Sequence, residues 1–192
     1  IFEEVTKKDG KCVLTEKKHL TGTDRIFEAY QKLNLSNIDY IMNLQGDEPL
    51  IDIEDIKNLN DNAIKKKCEI ATLACKIKDK NVLNKSNIVK VITGEKISKE
   101  NISRANTFLR EVSLVNNLNI YHHIGIYIYK VSILEKFVNL KQSKNEIDRK
   151  LEQMRAIDNK MKINVILANS SPIGVDTKED FLELKKIMNY KN

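Results

Sequence analysis

Apolar positions along the chain alternate between a helical and an extended rhythm, with no linker and no internal repeat between the segments. Ile26, Phe27, Tyr30 and Leu33 recur at helical spacing and predict a helix over Asp24–Lys32. The short apolar run Asp39–Leu44 stops at Gln45-Gly46-Asp47-Glu48-Pro49. It reads as a buried parallel strand with a polar cluster at its C-terminal end. Asp52 is placed to cap a helix over Ile53–Lys66, and Ile70–Lys76 and Ile88–Thr93 read as further strands. Tyr121–Tyr129, rich in aromatic and β-branched residues, predicts another strand. Val131–Val138 and Glu146–Asn159 are helical in period, and Ile163–Leu167 is a last strand. Asp176 or Thr177 caps a final helix, with Glu179 and Asp180 in its first turn and Phe181, Leu184, Ile187 and Met188 on its apolar face. The alternation predicts one α/β layered domain over 1–192 with a largely parallel sheet. Ligands of such sheets gather at the carboxyl ends of the strands, which points to Gln45–Pro49.

Composition narrows the picture. Hydrophobic content of 41% and charged content of 31% fit a folded domain. No run approaches ~18 uncharged apolar residues, so no membrane-spanning helix and no membrane partner are expected. Charges in 1–11 interrupt any leader-like run. Cys12, Cys68 and Cys75 lack CxxC spacing, so neither a zinc site nor a disulfide framework is expected, and a cytoplasmic location fits. The net charge of +6 comes from scattered lysines alongside abundant Asn and Ile. That pattern matches a base-composition bias more than a nucleic-acid-binding face, and no nucleic-acid partner is expected.

Several segments carry chemistry. Asp47 and Glu48, held by Pro49 after a strand, read either as an ordinary acidic turn or as carboxylates that hold Mg²⁺ against phosphates. Gly174–Asp180 is a second acidic stretch, open to the same two readings as helix cap and metal site. Thr21-Gly22-Thr23-Asp24-Arg25 is either a plain helix start or a turn offering N–H groups to a nucleotide. His19, His122 and His123 lack metal-ligand spacing, and neither GxGxxG nor GxxxxGK occurs, which removes dinucleotide and Walker-type sites.

Taken in order, these segments resemble the CMP-Kdo synthetase family, the 3-deoxy-manno-octulosonate (Kdo) cytidylyltransferases. The resemblance runs through His19–Arg25, Asn43–Pro49, Asn87–Val91, Ile102–Ala105, His123–Tyr127, Leu151–Arg155 and Gly174–Asp180. It implies a nucleotide-diphospho-sugar transferase type of α/β fold, a mixed, mostly parallel sheet flanked by helices. It implies CTP and Kdo as substrates, CMP-Kdo and pyrophosphate as products, a role in lipopolysaccharide assembly, and Mg²⁺ as cofactor. Asp47 and Asp176 match the family's metal ligands, and Arg104 would pair with the sugar carboxylate as a third catalytic residue. Gln45, His123, Tyr127, Glu152 and Gln153 match positions around the sugar acid, and Thr21, Gly22, Thr23, Asp24 and Arg25 match a segment near the nucleotide. The resemblance also implies a homodimer, with Tyr121–Tyr129 and Val131–Asn159 as the candidate contact.

The chain departs from that family in three places. The family's opening strand and cationic phosphate loop have no counterpart in 1–192, so these residues on their own are expected to be poorly stable and inactive, whereas turnover is expected of the full-length protein. Asn106-Thr107-Phe108 stands where the family places Ile-Pro. Arg149 replaces an acidic residue, and Ile128 a small one. These differences bear on which sugar is used: 8-amino-Kdo or a sialic acid is the runner-up substrate, and a non-catalytic remnant of the fold is the alternative from another class.

Overall fold

The computed structural model describes residues 2–112, 118–169, 174–175 and 177–188. In chain order its elements are α1 (Phe2–Thr6), α2 (Gly22–Leu33), β1 (Tyr40–Asn43), α3 (Ile53–Lys65), β2 (Ile70–Lys76), β3 (Lys90–Thr93), β4 (Ser103–Leu109) and β5 (Asn119–Lys130), then α4 (Val131–Val138), α5 (Lys144–Arg149), α6 (Met154–Asp158), β6 (Ile163–Leu167) and α7 (Lys178–Ile187). A short 3₁₀ turn covers Lys80–Asn84. The helix starts follow side-chain chemistry read from the sequence. Thr21 caps α2 through the Asp24 amide, Asp52 caps α3 through the Glu54 amide, and Thr177 forms a capping box with Asp180 on α7.

Two elements differ from their sequence patterns. The helical period over Glu146–Asn159 is broken into α5 and α6 by Lys150, whose φ of 52° is left-handed. Periodicity cannot register such a break, because the apolar residues on either side keep their spacing. β4 escaped the pattern because its exposed face is polar: Arg104 and Asn106 alternate with buried Ser103 and Ala105.

The sheet is mixed, as expected, but not mostly parallel. Its six strands run in the order β1-β5-β2-β6-β4-β3, and β5 also pairs with β3. Among the described strands only β2 and β6 pair in parallel. β1 and β2, joined through α3, do point the same way, as a crossover requires. However, β5 inserts between them and is antiparallel to both. The sequence conveyed the common direction of β1 and β2 but neither the insertion nor the opposite direction of β5. β1 is accordingly antiparallel to its neighbour and half-buried, not a buried parallel strand.

Each face of the sheet carries its own core. Ile124, Ile126 and Ile128 of β5 join Ala71 and Leu73 of β2 under Leu59 and Ala63 of α3. Tyr127 and Tyr129 point to the other face, with Leu134 and Phe137 of α4 and Met154 and Ala156 of α6. Period-2 alternation along β5 therefore feeds two helical layers at once. β5 is also largely buried, paired with β2 along one edge and with β3 and then β1 along parts of the other. The final helix buries Leu184, whereas Phe181, Ile187 and Met188 stay exposed.

Candidate active site

The cavity arises from a fork in the sheet. Along one edge β5 pairs with β2 from Tyr121 to Tyr129. Along the other it pairs first with β3, over Asn119–His122, and then with β1, over Tyr127–Lys130. Between these partners β5 runs without a ladder neighbour on that edge, apart from the His123 amide donating to the Val89 carbonyl at 2.9 Å. A cavity of about 580 Å³ opens there, lined by the end of β1, the segment before β3, the middle of β5 and the turn between α5 and α6.

The β5 segment at the fork is itself irregular. Thr72 pairs with Tyr127 but Leu73 pairs with Ile124, so Gly125 and Ile126 bulge out of register. The buried Thr72 hydroxyl lies 2.7 Å from the Ile126 carbonyl and 3.2 Å from the Ile124 carbonyl, serving groups that the bulge removes from the ladder. Thr72 Oγ1 also lies 3.0 Å from Nε2 of His123. Because the hydroxyl proton goes to a carbonyl, Nε2 carries the hydrogen of that contact and Nδ1 is left as an acceptor. Burial, with His122 beside it, pushes the His123 pKa down to about 3, so the ring is neutral at physiological pH. It stands edge-on to Phe108 at 5.1 Å and is tilted against Tyr127 at 5.4 Å. The amide of Gln45 rests over Gly125, 3.6 Å from where a Cβ would stand.

Glu152 and Gln153 reach the opposite wall from the turn that Lys150 creates. Burial pushes the Glu152 carboxyl up, against the Thr23 and Thr21 hydroxyls and the Arg155 charge, which pull it down. Its Oε1 and the Tyr127 hydroxyl are buried without forming a hydrogen bond. For Tyr127 burial also dominates, raising its pKa well above the ordinary phenol value. Such unfilled polar atoms facing a cavity are the mark of a wall built for a polar ligand. Arg155 anchors the turn from behind, paired to Glu146 and 4.8 Å from the centre of the Phe137 ring.

All five residues matched to the sugar acid, Gln45, His123, Tyr127, Glu152 and Gln153, line this one cavity. Thr23 lines it as well, and Thr21 lines an adjoining recess with Glu152. The first turn of α2 therefore borders the Glu152 wall. Asp24 accepts from the Thr21 hydroxyl at 2.7 Å and faces Arg155 at 3.8 Å, while Gly22 is exposed. Arg25 turns away and donates to Thr15 Oγ1 and the Glu16 carbonyl.

Asp47 is exposed in the turn after β1, and its carbonyl accepts from the Val175 amide at 2.8 Å, so the two acidic segments touch. Asp176 itself lies outside the described residues. Arg104 is exposed on β4 and does not line the cavity; the arginine at the wall is Arg110. Arg110 and Lys150 carried no sequence signal, because isolated cations in a lysine-rich chain look like surface filling. Asn43 and Asn87–Val89 lay inside matched segments but had no chemistry of their own to mark them. Among the described residues no three His, Cys, Asp or Glu side chains gather as a metal site.

The sequence model of the Cytidylyltransferase family matches residues 1–163. The chain belongs to the cytidylyltransferase family. This cytidylyltransferase is 39% identical over 189 residues to the 3-deoxy-manno-octulosonate cytidylyltransferase of Bartonella henselae, covering 98% of this chain and 77% of that one. It is 39% identical over 200 residues to the protein of the same name from Thermodesulfovibrio yellowstonii, covering 98% and 78%. Among solved structures it is similar to a CMP:2-keto-3-deoxy-manno-octonic acid synthetase in complex with CTP. That likeness has a TM-score of 0.85 at 27% identity, over 97% of this chain and 76% of the other. UDP-glucose pyrophosphorylase, at 15% identity and a TM-score of 0.67 over 97% and 66% of the two chains, shares the fold alone. The cytidylyltransferase fold is thus of the nucleotide-diphospho-sugar transferase type.

Proposed function

We propose that this protein transfers CMP from CTP to the anomeric hydroxyl of Kdo, giving CMP-Kdo and pyrophosphate for lipopolysaccharide assembly. The observation that carries the reading is the convergence of Gln45, His123, Tyr127, Glu152 and Gln153, from distant parts of the chain, on one cavity. The names of relatives covering 98% of the chain support the same substrates.

In the reaction the sugar hydroxyl oxygen attacks the α-phosphorus and gives up its proton to solvent, the bond from the α-phosphorus to the bridging oxygen breaks, and pyrophosphate leaves with that electron pair. The protein's part is to orient the sugar and to keep charge where phosphate oxygens gain it. Neutral His123 offers an acceptor, Tyr127 a hydroxyl and Glu152 an open carboxyl oxygen to the hydroxyls of a polyol. Gln45 and Gln153 add amides that donate and accept.

A Mg²⁺ ion is placed by this reading at the turn after β1, beside the cavity residues Gln45 and Glu48. Asp47 presents an exposed oxygen ligand, and its contact with Val175 brings the Asp176 segment alongside. Asp47 and Asp176 would hold the ion, and the ion would neutralise charge on the triphosphate. Arg104, exposed outside the cavity, is proposed as a carboxylate partner only for a sugar that reaches past the rim. The reading includes a homodimer through the Tyr121–Tyr129 and Val131–Asn159 region, to be checked by light scattering, and a cytoplasmic location, consistent with Cys12, Cys68 and Cys75 forming no disulfide. Among the described residues no helix is long and apolar enough to cross a membrane.

The test is pyrophosphate release with CTP and each of Kdo, 8-amino-Kdo and a sialic acid. The expected result is a kcat/KM at least tenfold higher for Kdo. A higher value for either other sugar would reassign the substrate.

A further inference from the structure

Three cations around the cavity spend most of their hydrogen bonds on main-chain carbonyls. Arg110 donates from Nε to the Arg149 carbonyl at 3.0 Å, from Nη2 to the Lys150 carbonyl at 2.9 Å and from Nη1 to the Ser86 carbonyl at 3.0 Å. Arg149 reaches the other way: its Nη1 donates to Thr107 Oγ1 at 2.8 Å and to the Phe108 carbonyl at 3.0 Å. Beneath them Lys90, with no exposed surface, donates to the Lys85 and Ile88 carbonyls at 2.8 Å each and to the Arg110 carbonyl.

We propose that Arg110 and Arg149 are positioning residues: two crossed straps between β4 and the Arg149–Lys150 turn that set Glu152 and Gln153 at the cavity wall. The assignment rests on the function proposed above. Its physical basis is the end of α5. That helix stops at Lys150 in a left-handed conformation, which a lysine adopts only at a cost. The carbonyls of Arg149 and Lys150 are groups that a helix end leaves without partners, and Arg110 takes both. A cation at a helix C-terminus also meets the negative end of the helix dipole. The turn is thereby fixed two residues before Glu152.

An arginine lining the cavity would ordinarily be read as a ligand for phosphate or carboxylate. Here every guanidinium nitrogen of Arg110 already faces a main-chain carbonyl, so its orientation is set without a ligand. Arg149 pairs with Thr107, so two positions at which the sequence departs from its family meet in space. An acidic side chain at position 149 could not donate to the Thr107 hydroxyl and the Phe108 carbonyl together.

The test uses the active protein with Arg110→Ala, Arg149→Glu, Arg149→Lys and Thr107→Val. Steady-state kinetics in both substrates are run beside amide hydrogen exchange. Arg110→Ala and Arg149→Glu are expected to raise the KM for Kdo at least tenfold, with the KM for CTP within twofold of wild type. Arg149→Lys, which keeps a donor, should stay within threefold, and Thr107→Val should add nothing to Arg149→Glu. The Leu151, Met154 and Arg155 amides should exchange at least tenfold faster in Arg110→Ala, with β2 amides unchanged. A rise in the KM for CTP alone would make Arg110 a nucleotide ligand, and equal rises or unchanged kinetics would also overturn the proposal. Unchanged exchange at those three amides would overturn it whatever sugar the enzyme uses. If the wild-type protein fails to use Kdo, the function above is wrong, and exchange alone then decides whether the straps hold the turn.

Discussion

Arg155 and Glu146 meet in a two-point ion pair, Nε to Oε2 at 2.9 Å and Nη2 to Oε1 at 2.6 Å, with both side chains at least 96% buried. The pair joins the start of α6 to α5 across the turn that carries Glu152. Both charges have left water, and each is the other's main partner, with Asp24 also 3.8 Å from the arginine.

Removing one partner should therefore cost more than removing both. Arg155→Ala or Glu146→Ala is expected to destabilise the protein by ~3–5 kcal/mol. A double replacement by Met and Leu should recover a large part of that loss. Denaturant unfolding of the two single variants and the double variant measures this; additive losses would show that the pair is not coupled.

Acid should act through His123. Its pKa in the folded protein is about 3, below the ordinary value, so the unfolded chain binds a proton over a range in which the folded one does not. Stability is present above pH ~6.5 and is lost as pH falls towards the folded value, by up to ~1.4 kcal/mol per pH unit. Glu146 acts lower on the scale. Burial raises its pKa, but Arg155, Gln142 and the Ser143 amide together hold the carboxyl below the usual range. His123→Gln should flatten the stability profile between pH 6.5 and 4; an unchanged slope would mean that the imidazole is accessible to protons.

Glu152 has the opposite sign. Its carboxyl is raised by burial, so the stability it contributes is present below the unfolded value of ~4.3 and lost as pH rises through the folded one. Glu152→Gln should therefore raise Tm at pH 8, by ~2–4 °C per kcal/mol of relieved desolvation, and leave it unchanged near pH 4. The same variant should lower kcat/KM for the sugar acid at least tenfold. A variant less stable at pH 8 would contradict the view that this carboxyl waits for a ligand.

Much of this arrangement was legible in the sequence, though unevenly. Val131–Val138, Ile70–Lys76 and Ile163–Leu167 match their elements residue for residue, because apolar spacing and a change of period mark both ends. The Gln45–Pro49 segment was legible as chemistry because paired carboxylates stand at a strand end, whereas Leu151–Gln153 was legible only through the family resemblance. Three things were not legible. The insertion of β5 between β1 and β2 depends on contacts between distant segments. The break at Lys150 depends on a φ angle that no side chain announces. Arg110 acts on main-chain carbonyls, which every sequence possesses. Arg104, conversely, entered through the family resemblance and lies outside the cavity.

Metal dependence should localise to Asp47 and Asp176. Asp47→Ala and Asp176→Ala are each expected to lower turnover at saturating Mg²⁺ by at least ~10²-fold. Because Asp47 is exposed, its variant should keep its stability within ~0.5 kcal/mol. Chelation should abolish turnover and added Mg²⁺ restore it. Wild-type kcat in either variant would remove that residue from the metal site.

The central claim, that one cavity joins CTP to Kdo, is tested most directly by ³¹P NMR of the protein with CTP, Kdo and Mg²⁺. The account predicts that the three CTP resonances are replaced by one phosphodiester signal and one pyrophosphate signal, in equal amounts and only when Kdo is present. CTP left intact, or cleaved to free CMP at the same rate without Kdo, would contradict it.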